Sequence, residues 1–360
     1  MRTMSTKTTT SVTHYHVQKS RREKFLEDWR SNWRTVVAVE DVALEQTPRG
    51  SRVGVYVGAD GDRQTRTVDA LVHEVDPGIT TTVHRHSWDA MVLVVGGKGW
   101  FEIDGEHVDV APGDSVYLPS WAWHRTGVDA GANAPLRYMS FSSEPTFETL
   151  RQSVLEDAGD VEFAALAARP PFSPGIPGDD PYTRRLRRVA RQQEDGRASR
   201  LHTSFDSLEL LNTPRGTRTT FLIDKAIGYR TTGITMALLE FGPGRGQSMH
   251  RHPGEAWLYV IEGKGHSYFG NEPEGGETHE WKKGDLIVVD HFLWHQHFND
   301  DPDNTAQLVR VHILDNLLET MRVLCDPLVL LEEPPDHIRD KQAGDPSTIQ
   351  WPAVERPTWP

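Results

Sequence analysis

The chain has 360 residues, 25% charged and 37% hydrophobic, with a formal net charge of −13. That length is room for about two domains, each able to bury a core without disulfides. The acidic balance argues against general nucleic-acid or anionic-membrane binding, and the single cysteine, Cys325, rules out an intrachain bridge and fits a reducing compartment.

The chain opens on a Thr- and Ser-rich stretch, Met1 to His14, with no apolar core. It does not read as a signal peptide, and no apolar run approaches a membrane span, so the expectation is a cytoplasmic protein. Residues 1–15 are expected to be disordered, and a first domain is expected over 16–165. His16 to Arg34 reads as a basic helix covering a barrel. Strands are expected at Arg52–Val57 and Val68–Val75, the second closed by the turn signal Asp76-Pro77-Gly78. Met91–Val95 is strongly apolar and stops at Gly96-Gly97. Trp100–Ile103 and His107–Val110 flank Asp104-Gly105, a hairpin signal. Strands at Asp114–Leu118 and Arg137–Phe141 complete the set, and Thr146 to Glu156 reads as helix. Short strands at regular spacing point to a small β-barrel or jelly roll.

Residues 166–181 are rich in Pro and Gly and read as a linker. The order then repeats over 182–332, with a second basic helix at Tyr182–Arg200. Strands follow at Arg218–Ile223, Ile234–Phe241, Trp257–Ile261, Leu286–Val289 and Gln307–Ile313. A Pro-rich tail, 333–360, is expected to lie on a partner surface or to be disordered. The repetition is in register. Thr47-Pro48-Arg49-Gly50 recurs as Thr213-Pro214-Arg215-Gly216 and His84-Arg85-His86 as His250-Arg251-His252, each 166 residues on. Gly113-Asp114 and His124 recur as Gly284-Asp285 and His295, 171 residues on, as does Phe147–Arg151 in Leu318–Arg322. The chain is therefore a tandem duplication of a whole domain.

Six of the seventeen histidines fall in that repeated frame. Two histidines at i and i+2 on a strand point to one face. His84, His86 and His124, and again His250, His252 and His295, are thus candidate metal ligands. A lone strand histidine is more often a core residue, but six at equivalent, Gly-punctuated positions are not.

The pattern Gly78-x5-His84-x-His86, then Gly113-Asp114, Pro119 and His124, resembles the cupin family, and Gly244 to His295 repeats it. The resemblance implies an all-β bicupin: two tandem double-stranded β-helix (jelly-roll) barrels with short flanking helices, and ligand histidines converging in each barrel mouth. Cupins commonly add a Glu four residues after the second His, where this chain has Ala90 and Ala256. The sites are then three-His sites unless Asp89 or Glu255 reaches in, although strand alternation points both away from the side that the alanines face. Three neutral imidazoles leave the charge of a divalent ion in place and leave coordination positions open, as in non-haem iron(II) oxygenases.

A closer resemblance, carried by HRH…A, the Gly-Lys-Gly turn and Pro119-Ser120-Trp121-Ala122-Trp123-His124, is to gentisate and hydroxynaphthoate dioxygenases. It implies an Fe(II) site taking a chelating phenolic or enolic substrate and O2 and cleaving an aromatic ring or C–C bond. By the same analogy His297 hydrogen-bonds substrate or oxygen and the chain forms a homo-oligomer; Trp123 and Trp294 read mainly as core and rim packing, with a pocket for a flat substrate as the alternative. Asp89 and Glu255 complete the catalytic candidates. The chain departs from the family at Val92 and Leu258, where an Arg holds the carboxylate, and in keeping a full second trio. Both departures point to a phenolic or dicarbonyl compound other than gentisate. The competing readings are a non-oxidative isomerase, lyase or hydrolase using Zn, Mn or Ni, and a ligand-binding bicupin without turnover.

Overall fold

A computed structural model describes residues 12–31, 34–59, 63, 65, 67–166, 178–232, 234–313 and 346–359. Cys325, the Leu318–Arg322 copy, most of the expected linker and the start of the tail lie outside them. No helix among the described residues is long and apolar enough to cross a membrane.

The strands Ala90–Gly96 (AMVLVVG) and Ala256–Glu262 (AWLYVIE) are apolar without alternation. Such runs belong to sheets covered on both faces, and both strands lie centrally in 7-stranded sheets. The first sheet takes, in spatial order, His202–Thr203, Ser115–Leu118, Ala90–Gly96, Leu136–Ser142, Asp69–Val75, Arg52–Val57 and Glu45–Gln46. The second takes Val36–Val37, Leu286–Val289, Ala256–Glu262, Ala306–His312, Thr235–Phe241, Arg218–Ile223 and Leu211–Asn212. One face of each sheet meets the other, with Met91, Leu93, Met139 and Phe141 sharing a core with Met236, Leu238, Trp257, Tyr259 and Val309.

The opposite faces line the two barrels. Val92, Val94 and Tyr138 pack with Phe101 and Ile103 of the outer sheet of barrel one. Leu258, Val260 and Leu308 pack with Phe269 and Trp281 of barrel two. The first outer sheet runs Leu155–Gly159, Val83–His86, His124–Gly127, Gly99–Ile103, Glu106–Val110, and the second Glu277–Lys282, Lys264–Gly270, Trp294–Asn299. The molecule is thus four sheets deep, as the two expected jelly rolls require.

The repeats exchange edge strands. Val36–Val37 of the first pairs with Leu286–Val289 of the second, and His202–Thr203 of the second pairs with Ser115–Leu118 of the first. The Gly-Asp motif anchors both exchanges. Asp285 Oδ1 accepts from Val39 N at 3.0 Å and Asp114 Oδ1 from Phe205 N at 2.9 Å. Their other oxygens close the local turns, accepting from Lys282 N and Ala111 N. Gly113, at φ 91°, sits against the Phe205 ring, which any Cβ there would strike. Covering an open sheet edge with a strand of the other repeat removes a site for unwanted pairing.

Two expectations change. The helix expected over Thr146–Glu156 is shorter, Glu144–Thr149, and is followed by a strand, Leu155–Gly159. Arg151, in the left-handed region at φ 55°, ends the helical run, and the strand pairs with Val83–His86 beside the first histidines. The described part of the tail lies on the chain's own barrels. Arg218 stacks on Trp351 at 4.5 Å and Arg137 on Trp359 at 5.2 Å, while Arg356 meets Asp114 at 3.2 Å. The basic helices form at His14–Ser31 and Pro181–Arg197, the latter capped by Asp180.

Replacing Asp114 by Ala strips the acceptor from Ala111 N and Phe205 N and should cost roughly 2–3 kcal/mol. A urea melt of Asp114→Ala should show the lower midpoint, with the metal content of the protein unchanged.

Candidate metal centres

The Val83–His86 strand alternates, so His84 and His86 face the barrel interior while Arg85 faces outward. His124 stands directly across from His84 in the ladder. The three ring centroids are 4.1, 4.9 and 5.9 Å apart. In barrel two His250 pairs with His295, and the corresponding separations are 4.3, 4.8 and 5.7 Å. Within each trio the facing nitrogens all lie within 4.8 Å of one another. The duplicated sequence has built the same cage twice.

Backbone carbonyls orient the rings. His86 Nδ1 meets Trp88 O at 2.6 Å, His124 Nδ1 meets Ala122 O at 2.9 Å and His84 Nδ1 meets Thr82 O at 3.4 Å. In barrel two His250 Nδ1 meets Ser248 O at 3.0 Å and His295 Nδ1 meets Leu293 O at 2.8 Å. A carbonyl only accepts, so in these five rings Nδ1 carries the proton and Nε2 keeps its lone pair for a metal. His252 differs, because its Nδ1 lies 3.2 Å from Nε2 of His312. Burial holds His86 at about 3 and His124 and His295 at about 4, and pushes His84, His250 and His252 well below the ordinary histidine value. All six are neutral at pH 7, which is the state a metal needs. A divalent ion fits this donor set: three neutral imidazoles per barrel, buried except for the half-buried His84, with no carboxylate among them.

Strand alternation also places the remaining candidates. Trp123 and Trp294 precede ligand histidines, so they face out of the barrels. Arg85 stacks on Trp123 at 4.3 Å and on Trp121 at 4.4 Å, and Arg251 stacks on Trp294 at 4.8 Å. The two rings brace the arginine of each His-Arg-His. Asp89 and Glu255 fall on the side of Met91 and Trp257, toward the junction between the barrels. Asp89 accepts from Ser143 Oγ at 2.7 Å, Thr232 N at 3.0 Å and Tyr117 OH at 3.2 Å. Glu255 accepts from Thr67 Oγ1 of the first repeat. Both carboxylates tie the repeats together, and neither joins a trio.

His297 does face the interior of barrel two, two residues beyond His295, with ring centroids 5.7 Å apart. Its Nδ1 is 2.6 Å from Ser267 Oγ, which accepts from Trp281 Nε1 at 2.9 Å. In barrel one Thr126 takes that place, its N–H bound to Thr81 Oγ1.

The expected strand at Gln307–Ile313 forms at Ala306–His312, but the reading by motif missed the residues that it sends inward. There Leu308 faces the barrel interior and Val309 and Val311 the junction, which places Arg310 and His312 on the interior side. The matching residues of barrel one are Ser140 and Ser142. Alternation in Leu308-Val309-Arg310-Val311-His312 carried the signal. Arg49 and Arg215, the motif arginines, lie close enough for their charge to lower the histidines of their own barrels, and Arg49 also pairs with Asp157 at 3.4 Å.

Residues 71–141 and 237–312 each match the cupin domain. A gentisate 1,2-dioxygenase from Haloferax sp. is 26% identical over 313 residues, 78% of this chain and 81% of its own length. A 5-nitrosalicylic acid 1,2-dioxygenase from Bradyrhizobium sp. is 33% identical over 86 residues, 24% of this chain and 35% of its own. Among solved structures, a variant of salicylate 1,2-dioxygenase from Pseudoaminobacter salicylatoxidans in complex with gentisate superposes with a TM-score of 0.58 at 17% identity, covering 89% of this chain and 96% of that one. An oxalate decarboxylase superposes at 0.54 and 14% identity, over 78% and 77% of the two chains.

Metal analysis of protein purified without oxygen should find one equivalent for each trio. Changing His84, His86 and His124 to Ala, or separately His250, His252 and His295, should each remove one. Stability should also follow pH. Unfolded imidazoles take up protons near their ordinary value of 6.5, whereas folded His124 and His295 resist until about 4. Their contribution is full above pH 6.5 and is lost as the pH falls toward 4, at up to about 1.4 kcal/mol per pH unit for each histidine. Urea midpoints of the metal-free protein between pH 7 and 5 measure that slope.

Proposed function

Two segments of the chain match the cupin domain, and on that premise we propose that it is a non-haem Fe(II)-dependent dioxygenase that cleaves the ring of a metal-chelating phenolic acid. The observation that carries the reading is the pair of three-imidazole cages without a carboxylate, set in barrels whose relatives bear the names of 1,2-dioxygenases. The substrates in those names are aromatic rings with a carboxylate beside a hydroxyl. Such a compound can chelate through two oxygens, and an ion held by three protein ligands has positions for it and for O2.

In the proposed reaction His84, His86 and His124 hold one ion, and His250, His252 and His295 hold the other. Iron(II), when bound, supplies the Lewis-acid and redox chemistry that lets a chelated electron-rich anion react with dioxygen. Neutral imidazoles leave its charge uncompensated, which favours substrate binding as the anion. The apolar walls, Val92, Val94 and Phe101 in one barrel and Leu258, Val260 and Phe269 in the other, exclude water from the reacting ring. In barrel two Trp281 donates to Ser267, and in this reading Ser267 in turn donates to His297 Nδ1. His297 then holds its proton on Nε2, ready to donate to a developing oxyanion. Assembly as a homo-oligomer and a cytoplasmic setting belong to the same reading.

Protein loaded with Fe(II) should take up oxygen with at least one compound from a panel of ortho-hydroxybenzoates, other phenols and β-diketones. A zinc-loaded native protein inert to oxygen across that panel would instead favour a non-oxidative metal-assisted reaction. If barrel two is the working one, His297→Gln should lower kcat by roughly 10²-fold with metal retained.

A further inference from the structure

The two cages are alike, but their surroundings are not. The difference lies on one strand, Ala306–His312, and its counterpart, Leu136–Ser142. Both strands run through the middle of an inner sheet, and both send every second residue into a barrel. In barrel one those residues next to the trio are Ser140 and Ser142, followed by Tyr138. Ser140 Oγ is bound to His73 Nε2 at 2.8 Å, and His73 lies flat against Tyr138 at 4.6 Å. Ser142 stands opposite Ala90 and Ser140 opposite Val92. The strand beside this trio therefore carries small hydroxyls and a closed His–Tyr stack, and the cation of this barrel, Arg49, comes from another segment and is paired with Asp157 at 3.4 Å.

In barrel two the same places hold His312, opposite Ala256, and Arg310, opposite Leu258. His312 contacts the ligand ring of His252, with centroids 4.4 Å apart. Arg310 is one step further in, on the same face, and also stands opposite Ala237 on its other side. Arg310 shares that interior face with His312, whose ring lies against the ligand His252. His297, held by Ser267, closes the same chamber from the outer sheet.

We propose that the chamber of barrel two is the one that receives a carboxylate-bearing substrate, and that Arg310, reaching across from the strand facing Leu258, grips the carboxylate. This rests on the proposed reaction of a chelating phenolic acid and names the barrel and the cation for it. A guanidinium offers two parallel N–H donors to a carboxylate, a geometry that neither the serines nor the His–Tyr stack of barrel one can supply. Barrel one then serves smaller or uncharged ligands, or structure alone.

The test uses the full chain loaded with zinc, so that binding is read without turnover, and two probes, salicylate and catechol, by calorimetry. Arg310→Met should weaken salicylate by roughly 10- to 100-fold, the loss expected for a charge-assisted bond, and leave catechol within about twofold and metal content unchanged. Arg310→Lys, which keeps the charge without the fork, should fall between, and it decides the matter should Arg310→Met fail to fold. Changing His250, His252 and His295 to Ala should abolish salicylate binding, while changing His84, His86 and His124 should not. Salicylate affinity unmoved in both Arg310 variants, salicylate lost only with the barrel-one trio, or no salicylate binding to the native protein would each overturn the assignment. Failure of the dioxygenase reading shows elsewhere, as absent oxygen uptake by the Fe(II)-loaded native protein, and leaves the binding result standing by itself.

Discussion

The arrangement depends on two sheets that are apolar on both faces and packed against each other. Once Met91, Leu93 and Trp257 are committed to the shared core, the period of two in a strand sends their neighbours into one barrel or the other. Every assignment in the two chambers follows from that commitment. A slip of one residue in either inner sheet would turn Arg310 and His312 toward the junction and Val309 and Val311 toward the trio. Packing between the repeats is thus what holds the register of the sites.

The same constraint explains the Gly-Asp motif and the inter-repeat carboxylates. An inner sheet of this width leaves an open edge, and each repeat covers the edge of the other. Asp114 and Asp285 accept from the incoming strand and from their own turn at once. Asp89 and Glu255 satisfy donors across the junction. Four acidic side chains that lie near the ligands in sequence are therefore occupied in joining the halves. The cages are left with imidazole alone, which is the electrostatic condition for an ion that keeps its positive charge.

Duplication preserved the cages and let the walls diverge. Ring separations in the two trios agree closely, because His-x-His on a strand and a third His across the ladder leave the backbone little choice. The side chains one layer further in are under no such restraint. One barrel filled that layer with His73, Tyr138 and Ser140, and the other with Arg310, His312 and His297.

The duplication, the strand pattern and both ligand trios were legible in the residues alone, since periodicity, turn chemistry and spacing are local properties that survive without neighbours. Most expected strands appear within a residue or two of their reading, and the expected jelly rolls are present. The sides taken by Asp89, Glu255, Trp123 and Trp294 follow from alternation, yet what each meets there does not. Arg85 on Trp123, Asp89 under Thr232 and the crossing of Val36–Val37 into the other barrel all join residues distant in sequence. Arg310 is the sharpest case: its place opposite Leu258 exists only through pairing between strands far apart in the chain, and no local motif encodes which strand will lie beside which.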